Sequence, residues 1–273
     1  MKLGGLLLFL ACAAPAAALA SSAFDGTWRP VPSDVQLIRN DSLLLKDGVY
    51  RCATCSPAAA IAADGADHPA PGSPYWDSAA VYVIDSQRVR VIRKQAGREV
   101  SCTTFTVSPD KSTLTIDSVY SALRRDAPIL ARIISTRVGA APVNGAHAIS
   151  GTWKQTRLDS FSDSYLTVTY KMDGGQLAMR ALNGQSFTAP LDGTMAPMRG
   201  DPGVTAVSVR RTGPRTIEET DYRDGKPVIW QSSTVSDDQT TLRVHLEDKE
   251  QKATMNFTLT RAQDRAGAVV MVQ

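Results

Sequence analysis

The chain has 273 residues, 43% of them hydrophobic and 21% charged, with 30 Lys and Arg against 27 Asp and Glu, for a formal net charge of +3. Basic and acidic residues are interspersed, as in "RKQAGREV" and "HLEDKEQK", which excludes the concentrated basic face of a nucleic-acid-binding protein. The three histidines form no pair with metal-ligand spacing, and neither a Gly-rich phosphate loop nor a Ser-His-Asp set can be read.

In chain order, Lys2, the apolar run "LGGLLLFLACAAPAA" and the small-x-small site Ala18-Leu19-Ala20 predict a secretory signal peptide over 1–20. It is too short for a bilayer span. The mature chain then starts at Ser21 and works in the periplasm or outside the cell. The alternative reads "FLAC" as a lipoprotein box and anchors the protein through Cys12. No later segment approaches a transmembrane span.

"FDGTW" (24–28) follows, and the same idea returns as "ISGTW" (149–153). Shifting the chain by 128 residues lays "ADGADHPAPGSP" (63–74) over "LDGTMAPMRGDP" (191–202), and "FTVSPDKSTLTI" (105–116) over "STVSDDQTTLRV" (233–244). Several blocks in one register indicate a duplicated domain. "RVRVI" (88–92), "TLTIDSV" (113–119) and "ILARII" (129–134) alternate in the first copy, as do "YLTVTY" (165–170), "AVSV" (206–209), "TLRVHL" (241–246) and "MNFTLT" (255–260) in the second. Period-two alternation marks half-buried strands. Turn signals such as Asp47-Gly48, Asp173-Gly174 and Asp224-Gly225 set the rhythm of an antiparallel meander. The expected fold is all-β: one barrel over 21–138, a linker over 139–147, a second barrel over 148–262 and a frayed or strand-adding tail over 263–273.

In each copy the glycine of "GTW" suits a crowded, bent strand start, and the tryptophan plugs one end of the barrel. Arg137 lies 109 residues after Trp28, and Arg261 lies 108 after Trp153. The doubled spacing predicts that Arg137 stacks on Trp28 and Arg261 on Trp153, each barrel closing on its own ends.

A Gly-x-Trp opening strand, a meander and a basic residue on the last strand resemble the lipocalin and wider calycin superfamily. "GTWKQTRLDSFSDSYLTVTYKMDG" and "VSVRRTGPRTIEETDYRDGKPVIWQSSTVSDDQTTLRV" are similar to bacterial exported lipocalin-like proteins of undetermined function, here in tandem. The resemblance implies eight- to ten-stranded barrels with an interior ligand site. Each copy is shorter than a typical lipocalin, and no C-terminal helix pattern follows. "TDY" (220–222), whose counterpart is "IRK" (92–94), is set aside as coincidence.

Cys52 and Cys55, spaced C-x-x-C behind an export signal, are expected to form a local disulfide. A bridge to Cys102 and a redox or zinc set with His68 are the alternatives. Cys102 aligns with Trp230 and is expected to point into the first barrel. Met172, Met179, Met195, Met198 and Met255 all fall in the second copy, where soft side chains either line an adaptable cavity or fill the core. Tyr75 and Trp76, in the Pro-rich loop "HPAPGSPYWD", form a barrel-mouth lid, a partner surface or a loop anchor. The expected function is an exported, non-enzymatic protein that binds a small apolar or amphipathic ligand, with no cofactor and no metal. The rivals are a solid structural or protein-interaction module, and a barrel isomerase or hydrolase with no nominated residues. Nothing in the sequence sets an oligomeric state.

Overall fold

The computed structural model describes residues 22–121, 128–140, 144–162 and 166–262. The signal-peptide site, Cys12 and the 263–273 tail lie outside the described residues. Alternating sequences become strands, every pairing antiparallel. The N-terminal segment gives β1 (Gly26–Pro30), a short 3-10 turn (Pro32–Asp34) and β2 (Gln36–Ile38). A run of ten strands follows: β3 (Asn40–Lys46), β4 (Val49–Cys52), β5 (Ala59–Ala62), β6 (His68–Pro69), β7 (Ser78–Val83), β8 (Arg88–Gln95), β9 (Arg98–Val107), β10 (Thr113–Tyr120), β11 (Ile129–Val138) and β12 (Gly151–Phe161). The remaining described residues give β13 (Val168–Asp173), β14 (Gln176–Ala181), β15 (Ser186–Pro190), β16 (Asp192–Pro197), β17 (Ala206–Gly213), β18 (Thr216–Arg223), β19 (Lys226–Val235), β20 (Thr241–Asp248) and β21 (Ala253–Arg261).

These strands make two nearly closed barrels, but not from the expected halves. The first is a sheet in the order β5-β4-β3-β12-β11-β10-β9-β8-β7-β6, and the second runs β15-β14-β13-β1-β21-β20-β19-β18-β17-β16, with β2 added on β21. Thus β12, which carries the second "GTW", closes the first barrel, pairing Trp153 with Arg137 and with Asp41. Strand β1, which carries the first "GTW", closes the second barrel, pairing Trp28 with Arg261 and with Val168. The boundaries 21–138 and 148–262 are corrected accordingly. The first barrel is one continuous stretch, 40–161, inserted into a second barrel built from 22–38 and 166–262. Chain entropy gives the reason. The edge of β11 meets the next "GTW" across a short connection, whereas β1 lies about a hundred residues back, and short connections between sequential strands are favoured. In the second barrel β1 takes the corresponding place beside β21.

The barrel ends themselves match the sequence reading closely. Trp28 and Trp153 are fully buried, and their indole N–H groups donate to the Phe24 carbonyl at 2.9 Å and the Ile149 carbonyl at 2.8 Å. Each is covered by an arginine, but the partners are exchanged: Arg261 lies 4.3 Å from the Trp28 ring and Arg137 4.0 Å from the Trp153 ring. Arg137 also donates to the carbonyls of Lys111, Ala148 and Ser150, as Arg261 does to Gln239, Ala23 and Asp25. The glycines are required here. Gly26 and Gly151 have φ of 120° and 135°, and a Cβ on either would collide with the guanidinium that closes its barrel.

Hairpin turns at Asp47-Gly48 and Asp224-Gly225 are as expected, both residues having positive φ. The third moves by one residue: Asp173 pairs with Gln176, and Gly174-Gly175 makes the turn. The barrels also share packing. Leu158 on β12 is buried in the second core, and Ile133 on β11 packs against both cores. Among the described residues no helix is long and apolar enough to cross a membrane.

Candidate functional site

Alternation along β8 sends Val89, Val91 and Arg93 into the first barrel, the two valines fully buried. Arg93 stands opposite Ala79 on β7 and Ser101 on β9, and a bulge follows it at Lys94. Tyr50 comes from β4. The sheet's ends, β5 and β6, do not pair with each other. At that unsealed seam lies a cavity of about 210 Å³, walled by Pro57, Ala58–Ile61, Pro69–Pro71 and Ala79, with Tyr50, Arg93 and Trp76 contributing the larger surfaces.

The charges around this cavity do not balance. Arg39 pairs with Asp41 at 2.9 Å, and Gln155 donates to the other oxygen of Asp41 at 2.8 Å. The Arg93 side chain has no hydrogen-bond or ion-pair partner among the described residues; its guanidinium carbon lies 5.0 Å from the Trp76 ring. Burial pulls the Arg93 pKa down, with the Arg39 charge acting in the same direction and Tyr50 opposing. The Tyr50 hydroxyl is buried and unpartnered among the described residues, and burial pushes its pKa up to about 12 against the pull of Arg93. Asp41 is thus matched to Arg39, and no carboxylate is paired with Arg93, whose positive charge is left over.

The second barrel carries carboxyl groups where the first has the cation. Ile217, Glu219 and Asp221 share the inward register of β18. Desolvation raises the pKa of Glu219 well above the ordinary carboxylate range, the Asp221 charge adding to it. Asp221 is also raised, again chiefly by burial. The two carboxyls act on each other's titration, and Gln231 stands opposite Glu219 on β19. One oxygen of each, Glu219 Oε2 and Asp221 Oδ1, lacks a partner among the described residues. The buried Tyr170 phenol is shifted up by burial and by this pair.

The residues nominated from sequence fall in several places. Cys52 and Cys55 form a disulfide with a Cα–Cα distance of 5.4 Å, and Cys55 lies on the cavity wall. Cys102 is free and does not point into the barrel. Ser101, Thr103, Phe105 and Val107 take the inward positions of β9, so Cys102 faces outward beside Val119, and its aligned partner Trp230 likewise faces out against His245. Met179 and Met198 are buried in the second core, Met172 and Met255 pack against it, and Met195 is exposed. Trp76 lines the cavity. Tyr75 turns away from it: its hydroxyl donates to Asp201 of the second barrel at 2.9 Å, and its ring occupies the space a Cβ on Gly203 would need. His68 is paired with Asp64, His147 with the Asp85 carbonyl and His245 with Asn256. Among the described residues no group of three or more His, Cys, Asp or Glu is placed to hold a metal.

Arg93, Tyr50 and the Glu219–Asp221 pair escaped the sequence reading. The signal was the alternation itself: in "RVRVIRK" and "TIEETDY" a charge stands in the apolar register. No family model matches the chain, and no curated protein is similar to it.

Proposed function

We propose that this is an exported, non-enzymatic protein that binds a small amphipathic molecule in the first barrel. The supporting observation is the cavity at the β5–β6 seam, where an alanine- and proline-rich wall meets the half-buried Arg93 guanidinium and the buried Tyr50 hydroxyl, which has no partner among the described residues. Folded proteins rarely leave such groups unsatisfied without a purpose, and apolar pockets with a few convergent polar groups are the usual form of ligand sites. The second barrel serves as the scaffold. By holding Tyr75 on Asp201 it positions the adjacent Trp76 over the cavity. Export follows from the signal peptide expected over 1–20, with Ser21 as the mature N-terminus and lipidation at Cys12 as the competing outcome of N-terminal sequencing.

Native mass spectrometry of protein purified from its own host tests the binding reading. The expected result is a mass excess released on denaturation and lost in Ala79→Leu, which fills the cavity. A clean mass, with no uptake of small amphipaths, would favour the solid interaction module instead.

A further inference from the structure

We infer that the first-barrel cavity holds its ligand by a carboxylate head, with Arg93 as the charge partner and Tyr50 as the second donor. The inference rests on the binding reading above and narrows it to short-chain monoanions. Four observations carry it. Arg39 is already matched to Asp41, and that carboxylate is shared with Gln155, so neither can neutralise Arg93. The guanidinium lies over the Trp76 ring, and a guanidinium stacked on an indole keeps its N–H edges free for the planar, two-point contact that suits a carboxylate. Tyr50 forms part of the same cavity wall, and its hydroxyl is buried with no partner among the described residues, the one further donor beside Arg93. The surplus is one positive charge, which a monoanion balances and a phosphate dianion would overshoot.

The arginine is not demanded by the fold. Shifted by 128 residues, Arg93 becomes Asp221, which occupies the same inward position opposite the same neighbouring strands. A barrel that accepts either sign at this point has no structural need of a guanidinium there. The cavity of about 210 Å³ is below the ~300–1,000 Å³ of sites for drug-sized molecules, so the apolar part of the ligand is short. Ala59, Ile61 and Ala79 offer it a hydrocarbon wall.

The test is calorimetric titration of the full mature chain with three probes of equal chain length: hexanoate, 1-hexanol and hexylammonium. Hexanoate is expected to bind about tenfold or more tighter than hexanol, the scale of a charge-assisted hydrogen bond, and hexylammonium not to bind. Arg93→Met should bring hexanoate down to the hexanol level and leave hexanol unchanged. Arg93→Lys, which keeps the charge and loses the fork, should retain part of the preference, and Tyr50→Phe should cost hexanoate several-fold. Hexanol binding as tightly as hexanoate, or an Arg93→Met protein with an unchanged preference, would overturn the carboxylate inference and leave the cavity reading standing. Failure of all three probes would overturn both.

Discussion

The two barrels share their ends and differ in their interiors. At the closed end each has the same glycine, tryptophan, arginine and supporting turn, down to the three carbonyls each arginine contacts. Inside, Val91 and Arg93 of the first barrel stand where the second has Glu219 and Asp221. The seams differ too. In the first barrel β5 and β6 stay apart and leave a cavity, whereas in the second Ser186 and Arg199 bridge the gap with two 2.9 Å hydrogen bonds. Even the loops that join the barrels are counterparts, since Tyr75 shifted by 128 becomes Gly203, the residue whose missing side chain makes room for it. Duplication kept what closes a barrel and let the interior diverge, one copy open and cationic, the other sealed and acidic.

The sharpest way to break this comparison is at the shared ends. Trp28→Ala and Trp153→Ala each delete a fully buried indole and are expected to cost about 3–5 kcal/mol. Because the closing strands are exchanged, Trp28→Ala should couple with Arg261→Ala, and Trp153→Ala with Arg137→Ala, in double-mutant cycles by denaturant unfolding. The crossed cycle, Trp28 with Arg137, should be additive. Leu158 and Ile133 tie the cores together, so some loss of stability should spread to the other barrel, contrary to what a flexible linker between independent domains would give.

A second way uses the interior charges. Glu219 and Asp221 bind protons more tightly folded than unfolded, so stability is full below the ordinary carboxylate pKa of about 4 and falls as pH rises through the higher native values. Glu219→Gln should flatten this decline, each unit of pKa shift removed being worth about 1.4 kcal/mol. Melting curves from pH 4 to pH 8 check it; a wild-type protein that gains stability over that range would mean the pair is ionised at no cost. The first barrel, with a surplus cation, should show no such dependence on Glu219.

The smallest expected effect is at the junction. Tyr75→Phe removes the hydrogen bond to Asp201 and should cost about 0.5–1.5 kcal/mol. It should also shift the fluorescence of the neighbouring Trp76 while leaving Trp28 and Trp153 buried. An unchanged spectrum would show that the second barrel does not position the cavity's indole.

Strand content, the duplication, the barrel plugs and the Cys52–Cys55 bridge were all legible in the sequence, because period-two alternation, turn residues and a repeated "GTW" are local signals. Which "GTW" closes which barrel was not. The two copies are so alike that either fits either arginine, and only the short path from β11 to β12 decides between them. The face of Cys102 was missed for a different reason: one residue of register reverses a strand's two faces, and alignment with Trp230 says the two agree without saying which way they point. Arg93 and Asp221 were hidden by their charge, since a strand rich in charged residues reads as solvated until its register is known.

Peptide-resolved hydrogen exchange on Trp28→Ala tests the exchanged closure most directly. The account predicts that protection falls first in β13 and β21, the strands that flank β1, while β9, β10 and β11 keep theirs. Loss concentrated in β3, β10 and β11, with β13 and β21 intact, would contradict it and return the first "GTW" to the first barrel.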